Sequence, residues 1–216
     1  MKNVVLIGAS GFVGTAILNE LLNRGHKVTA IVRDAKKMTV SSPNLTIVEA
    51  DVTDTDALKE AGKGKDAVIS AYNPGWKNPH IYEDTLKNYP LIVESAKQAG
   101  VKRLLIVGGA GTLFYAPGKM VMDADDVPAQ LLPGIKSLGE FYLNTLRKEK
   151  DIDWIFLSPA AHMTPGKRTA KSRIGKDDLV VDANGDSNIS VEDFAVAMVD
   201  ELEQEKHHKE RFTIGY

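Results

Sequence analysis

Short runs of consecutive apolar residues alternate along the chain with longer segments in which apolar residues recur every three or four positions. The short runs are typical of buried strands, and the longer segments are typical of amphipathic helices. Because each right-handed crossover between parallel strands places a helix over the sheet, repeated units of this kind predict a doubly wound α/β fold with a parallel sheet. A single domain over residues 1–216 is the simplest account. The pattern predicts strands over residues 4–7, 28–32, 45–48, 66–70, 103–107, 154–157 and 212–214, and helices over residues 12–22, 54–61, 82–98, 134–149 and 190–202.

Two long segments, residues 108–133 and 159–178, fit neither pattern and are rich in glycine and proline. Each follows the carboxyl end of a predicted strand, which is where open α/β sheets bind ligands. The first segment contains the acidic stretch from Asp123 to Asp126, which predicts a solvated lid. Both segments are therefore expected to serve function.

Composition excludes several classes of function. The 216 residues include no cysteine, so disulfides, thiolate catalysis and cysteine-bound zinc are not expected. Basic and acidic residues are interspersed and nearly balanced, 27 against 29, which gives no electrostatic basis for binding nucleic acid or an anionic membrane. No apolar stretch is long enough to cross a bilayer, and the N-terminus lacks the features of a signal peptide, so a cytoplasmic protein is expected. No metal site is predicted, because no spacing of carboxylates and histidines recurs on one face.

Three glycines follow the first predicted strand at intervals of three and open the first predicted helix: Gly8, Gly11 and Gly14. In a dinucleotide-binding unit the first glycine permits a tight turn, the second lets the backbone approach a pyrophosphate, and the third lets the helix pack on the strand. The helix N-terminus then offers free amides and a partial positive charge to the phosphates. The alternative, that the glycines serve close packing alone, is less favoured at this position.

The end of the second predicted strand carries AIVRDAKK, residues 30–37, where an acidic residue usually meets the ribose 2′-hydroxyl of NAD. Arg33 stands first here, and a guanidinium can pair with a 2′-phosphate through two hydrogen bonds. The sequence therefore favours NADP(H) over NAD(H). Two alternatives stay open: Asp34 could still reach a hydroxyl, and the cations could form a solvated turn.

Four segments together resemble the atypical short-chain dehydrogenase/reductase superfamily: GASGFVG (residues 8–14), IVRD (31–34), EADVTD (49–54) and IVGGAG (106–111). Within it the chain is most similar to small NAD(P)H-binding proteins of the NADH-flavin reductase type, and more distantly to biliverdin-IXβ/flavin reductase. The resemblance extends over nearly the whole chain and implies an NAD(P)-binding Rossmann fold with a small C-terminal substrate region.

The resemblance also implies roles for individual residues. The pyrophosphate would be wrapped by Gly8, Ser10, Gly11, Phe12 and Val13, with Gly14 as the third glycine of the motif. The adenosine phosphate would be bound by Arg33, the adenine would be held by Asp51 and Val52, and the ribose would be flanked by Ala71 and Tyr72. The nicotinamide side would be lined by Gly108 and Gly109 and closed over by Ser158, Pro159 and Ala160.

The chain departs from the superfamily where classical members carry a Tyr-x-x-x-Lys pair for proton exchange with an alcohol or ketone. Tyr142 is followed four places later by Leu146, so the pair is missing. Lys136 is a possible substitute on the same predicted helix. His162 and Tyr115 are further catalytic candidates, because both stand in segments that follow strands.

Hydride transfer to a flavin or quinone-like acceptor needs no such acid, because the reduced ring delocalises its charge and takes a proton from water. The leading prediction is therefore an NAD(P)H-dependent reductase, with FMN or FAD as a possible substrate rather than a bound group. A non-catalytic NADP-binding redox sensor is the main alternative. A sugar-nucleotide epimerase or dehydratase is less favoured, because residues 159–216 are few for a sugar-nucleotide site.

Overall fold

A computed structural model describes residues 1–216 and contains one large sheet with helices on both faces. The strands are β1 (Asn3–Ile7), β2 (Lys27–Val32), β3 (Leu45–Glu49), β4 (Ala67–Ser70), β5 (Arg103–Val107), β6 (Phe114–Ala116), β7 (Lys119–Met120), β8 (Asp153–Ser158), β9 (His162–Thr164), β10 (Arg173–Gly175), β11 (Asn188–Ser190) and β12 (Glu210–Gly215). The helices are α1 (Phe12–Asn23), α2 (Thr55–Gly62), α3 (Ile81–Gln98), α4 (Leu132–Glu140) and α5 (Val191–Gln204). None of them is both long and apolar enough to cross a membrane.

The eight-stranded sheet has the order β10-β12-β8-β5-β4-β1-β2-β3, and every pair is parallel except β10 with β12. The chain runs outward from β1 in one direction through β2 and β3, and then returns to β4 on the other side of β1. The strand order therefore reverses between β1 and β4, and a crevice opens at their carboxyl ends. The doubly wound fold predicted from the sequence is confirmed.

Two buried clusters, one on each face of the sheet, hold the helices in place. One cluster joins alternate residues of β1, including Val4 and Leu6, to Ile17 of α1 and Phe194 of α5. The other joins the opposite faces of the strands to α2, α3 and the segment after α4. Successive side chains of a strand point to opposite faces of the sheet, so β1 contributes alternate residues to both clusters.

The predicted helix over residues 134–149 is not continuous. The regular helix α4 ends at Glu140, and a π-helical turn (Phe141–Thr145) and a 3-10 turn (Leu146–Lys148) follow. The irregular turn brings the Phe141 ring within 4.8 Å of the Tyr89 ring and the Tyr142 ring within 4.7 Å of the Phe156 ring. Aromatic packing of this kind requires a tertiary partner, which a local period cannot reveal.

Candidate functional site

A cavity of about 720 Å³ lies at the carboxyl ends of the central strands, where the strand order reverses. Its size is that of an ordinary small-molecule site. Most residues that the resemblance implicates line it: Gly8, Ser10, Gly11, Phe12, Val13, Arg33, Val52, Ala71, Tyr72, Gly108, Gly109, Pro159 and Ala160, together with the catalytic candidate His162. Three residues that the resemblance implicates do not line it, Gly14, Asp51 and Ser158, and neither do the catalytic candidates Tyr115 and Lys136.

The turn between β1 and α1 has room for glycine alone at two positions. Gly8 has a φ of +81°, and a Cβ there would lie 2.7 Å from the carbonyl oxygen of Ala71. A Cβ on Gly14 would lie 2.0 Å from the carbonyl oxygen of Gly8. Gly14 therefore lets the helix approach the turn, which is the packing role of the third glycine in this motif.

The N-terminus of α1 is open to an anion. Its cap residue, Gly11, has no side chain to accept a hydrogen bond, and the first turn contains no acidic residue. The backbone N–H groups of Phe12, Val13 and Gly14 have no acceptor within the protein. Such amides and the helix dipole together favour a phosphate. These residues fit the pyrophosphate of a dinucleotide.

The loop after β2 presents its cations to the cavity and uses its carboxylate elsewhere. Arg33 and Lys37 line the cavity. Asp34 also lines it, but its carboxylate caps the following 3-10 turn by accepting a 3.0 Å hydrogen bond from the backbone N–H of Lys36. The carboxylate of Glu49 accepts a 2.8 Å bond from the N–H of Ala35 and ties the same turn to β3. The turn is thereby held with Arg33 at the end of β2.

Asp51 serves the turn after β3. Its carboxylate accepts hydrogen bonds from the backbone N–H of Thr53 at 2.9 Å and from the Thr53 hydroxyl at 2.8 Å. These bonds, with the nearby charge of Arg33, hold the pKa of Asp51 below its usual value although partial burial opposes them. The neighbouring Val52 supplies the apolar wall of the cavity at this position.

Tyr72 is held by two residues of α3 that the sequence analysis did not identify. The side-chain amide of Asn88 donates a 2.7 Å hydrogen bond to the Tyr72 hydroxyl, and the Tyr89 hydroxyl donates a 2.7 Å bond to the Tyr72 carbonyl. The two tyrosine rings meet edge to face at 5.5 Å. Burial raises the pKa of Tyr72, so its phenol stays protonated at neutral pH.

The two glycines after β5 allow the backbone that lines the cavity to pack closely against neighbouring side chains. A Cβ on Gly108 would lie 2.4 Å from the Phe156 ring, and one on Gly109 would lie 3.2 Å from Leu138. Ser158 is fully buried at the end of β8, and its hydroxyl has no hydrogen-bond partner. Pro159 and Ala160, the next residues, reach the cavity.

The three catalytic candidates are placed differently. His162 lines the cavity from the short strand β9, and its side chain is exposed. Tyr115 instead lines a separate groove beside Pro117 and Leu179. Lys136 is exposed on α4 and lines neither. Tyr142, which lacks a lysine four places later, is buried against Phe156 and is not among the residues that line the cavity.

The end of the cavity beyond β5 and β8 is lined by residues most of which were not identified from the sequence. They are largely apolar and come from the loop after β4 and from α4 and the segment before it: Trp76, Val121, Leu131, Gly134, Ile135 and Leu138. Trp76 is the one residue among them with a signal in the sequence, because it is an aromatic residue in a segment that follows a predicted strand.

Comparisons with known proteins agree with this geometry. The model of a family described as NAD(P)H-binding matches residues 8–205. YwnB of Bacillus subtilis is 43% identical over 212 residues, which cover 97% of this chain and 96% of YwnB. A crystal structure from Bacteroides thetaiotaomicron, provisionally named an epimerase, is 59% identical with a TM-score of 0.94, covering 100% of this chain and 97% of its own. One from Streptococcus pneumoniae, provisionally named an NADH-flavin reductase, is 33% identical with a TM-score of 0.83, covering 100% and 99%.

Proposed function

Because this chain belongs to the NAD(P)H-binding family, we propose that it is a reductase that transfers hydride from a nicotinamide cofactor to a flavin or quinone-like acceptor. The observation that carries the proposal is the composition of the cavity. An anion-binding helix N-terminus stands at one end, and an aromatic and aliphatic surface stands at the other. The name of the Streptococcus pneumoniae relative points to the same acceptor class.

A preference for NADP(H) rests on the loop after β2. A 2′-phosphate would meet Arg33 and Lys37, two cations that line the cavity. The carboxylate of Asp34 already accepts a hydrogen bond from its own turn, which leaves it less able to receive a ribose hydroxyl. A phosphate therefore gains charge-assisted bonds at this position, and an unphosphorylated ribose gains fewer.

The remaining residues of the site would position the reactants. When bound, a reduced nicotinamide supplies a hydride, so that the acceptor gains two electrons and one proton and takes a second proton from solvent. Gly108 and Gly109 line the cavity at the end of β5, and Pro159 and Ala160 line it at the end of β8, so these four residues would contact the nicotinamide. Orientation of two rings in one cavity would lower the barrier without a catalytic acid.

The name of the Bacteroides thetaiotaomicron relative raises epimerisation as a second candidate. That chemistry exchanges protons with a sugar and needs an acid or base next to the substrate. Tyr142 is buried against Phe156, and Lys136 is outside the cavity, so the usual groups do not meet there. The geometry supports the reductase better.

The test is a titration of the purified protein with NADPH and NADH, followed by the absorbance of the reduced cofactor after riboflavin, FMN or a quinone is added. Binding of NADPH with rapid oxidation on addition of an acceptor supports the reductase. Tight binding with no oxidation by any acceptor overturns it in favour of a redox sensor. Absence of binding would leave the glycines at positions 8, 11 and 14 with a packing role alone.

A further inference from the structure

The charged residues of the cavity are confined to one end. With histidine counted as neutral, Arg33, Asp34 and Lys37 are the only lining residues with a formal charge, and all three follow β2. In the sheet order, β2 is separated from β5 by β1 and β4, and β8 lies one strand farther. At about 4.8 Å between neighbouring strands, the charged end lies roughly 14 Å from the end of β5 and roughly 19 Å from the end of β8. The opposite end, which is lined by Trp76, Val121, Leu131, Gly134, Ile135 and Leu138 and is called the acceptor end below, has no residue with a formal charge.

Trp76 provides a flat surface at the acceptor end. Its side chain lines the cavity and remains 53% exposed, which leaves much of the indole open to a ligand. Gly134, at the start of α4, allows the ring to approach, since a Cβ there would lie 2.8 Å from Cζ3 of Trp76. Leu131 and Ile135 on either side are aliphatic. A planar aromatic ligand gains most from such a surface.

Two polar side chains at this end already accept hydrogen bonds within the protein. The Thr112 hydroxyl accepts a 2.7 Å hydrogen bond from Nη1 of Arg211, and the Asn73 side-chain oxygen accepts a 2.7 Å bond from the N–H of Gly75. Arg211 is itself buried behind the wall, and its charge is paired with Asp177. The charge of this buried cation is therefore already neutralised by a carboxylate.

The charged residues close in sequence to the lining of this end carry both signs of charge. Lys77 and Lys136 are exposed and do not line the cavity. Between the lining residues Val121 and Leu131 the chain carries three exposed carboxylates, those of Asp123, Asp125 and Asp126. These carboxylates offset the charges of the two lysines and so weaken any attraction of an anion from solvent.

We propose that the acceptor site takes an uncharged planar ring system stacked on Trp76 and discriminates against acceptors that carry a phosphate. The inference rests on the proposed reductase function and narrows its substrate class from flavins in general to unphosphorylated flavins and neutral quinones. Its physical basis is desolvation, because a phosphate brought to this end loses water and gains no cation in return.

Riboflavin and FMN test this directly, because they share one isoalloxazine ring and differ by a phosphate. The protein is saturated with NADP⁺, which prevents turnover, and flavin binding is followed by fluorescence anisotropy at pH 8, where an ordinary imidazole is neutral. We expect FMN to bind at least about tenfold more weakly than riboflavin, the ratio given by about 1.4 kcal/mol. Equal or tighter binding of FMN overturns the inference and leaves the reductase standing. If neither flavin binds and no quinone binds, the proposed reductase function is overturned as well.

A cation placed at the acceptor end should reduce the discrimination against the phosphate. Leu131→Lys adds a cation to the lining, and Leu131→Met is the matched neutral control. We expect Leu131→Lys to lower the ratio of the FMN to the riboflavin dissociation constant by at least about threefold, with Leu131→Met and the exterior variant Lys119→Met leaving it unchanged. A selective loss of FMN binding in Lys77→Met would instead show that a rim cation receives the phosphate, against the inference.

Discussion

Arg168, in the loop after β9, donates two hydrogen bonds to the carboxylate of Glu20 on α1, from Nε at 2.8 Å and from Nη2 at 2.7 Å. The Glu20 side chain is 4% exposed, so this ion pair joins a surface loop to the interior. The backbone N–H groups of Thr169 and Ala170 donate to the carboxylate of Asp193 on α5, at 2.8 Å and 2.7 Å. Because residues 159–164 line the cavity just before this loop, the two carboxylates hold one of its walls in place.

The attachment of this loop should depend on pH. Hydrogen bonds from Arg168 hold the pKa of Glu20 below its usual value. At Asp193, burial raises the pKa, but hydrogen bonds from Thr169 and Tyr216 outweigh burial, and the pKa of Asp193 is also below its usual value. A lowered folded-state pKa gives stability that is present above the unfolded pKa and is lost as pH falls through the folded value. We therefore expect residues 165–171 to be protected at neutral pH and to open below about pH 4.

Hydrogen exchange at residues 165–171, measured after equilibration at a series of pH values, checks this prediction. Asp193→Asn should remove much of the protection at neutral pH and flatten its pH dependence. Protection that persists unchanged into acid in the native chain would contradict the prediction.

Arg33 should determine the choice between the two dinucleotides. We expect Arg33→Ala to weaken NADPH binding by about 1–3 kcal/mol and to leave NADH binding nearly unchanged, since only the 2′-phosphate loses charge-assisted bonds. Lys36→Ala is the matched control, because Lys36 is an exposed cation of the same turn that does not line the cavity. Equal losses for both cofactors in a calorimetric titration would remove the 2′-phosphate assignment.

Gly11 and Gly14 should respond differently to alanine. A Cβ on Gly14 would meet the Gly8 carbonyl oxygen at 2.0 Å, whereas one on Gly11 would meet the same atom at 3.3 Å. Gly14→Ala should therefore lower the thermal midpoint strongly, with a loss of several kcal/mol typical of severe overpacking. Gly11→Ala should retain the fold and weaken NADPH binding, because a methyl group enters the cavity lining. Similar midpoints for the two variants would argue against this division of roles.

Arg103, the first residue of β5, and Glu201 on α5 form a buried ion pair, with side chains 4% and 3% exposed. Arg103→Met should cost about 3–5 kcal/mol of unfolding free energy, because it removes the guanidinium that pairs with both Glu201 and Asp153 and leaves the buried Glu201 carboxylate with His207 alone. Lys63→Met is the comparison, because Lys63 pairs with Glu60 at the surface and the change should cost no more than about 1 kcal/mol. Urea denaturation of both variants gives the two values, and a small loss in Arg103→Met would contradict the prediction.

The segment between Val121 and Leu131 should respond to cofactor. Both residues line the cavity, and the chain between them is largely exposed. Saturating NADPH should slow hydrogen exchange over residues 121–131, as expected of a lid that closes on a filled site. The remote helix α2 (Thr55–Gly62) is the internal control. Exchange that is the same with and without NADPH would count against a lid.

The sequence by itself determined the elements whose signals are local. Alternating apolar runs and helical periods gave the doubly wound sheet, and Asp54 and Ser190 cap α2 and α5 by accepting hydrogen bonds from Ala57 and Asp193. The glycine spacing after β1 located the turn at which the cavity opens. These features follow from periods and caps that involve residues within a few positions of one another.

Only the tertiary structure decided which distant residues meet. The Asp193 carboxylate, which a capping box would turn back to the N–H of Ser190, instead binds the loop at Thr169 and Ala170, and Tyr216 takes its place at Ser190. Trp76 and Gly134 come together across almost sixty positions to form the acceptor surface. Contacts of this kind depend on how the layers pack, because a residue's local pattern determines its element and leaves its distant neighbours open.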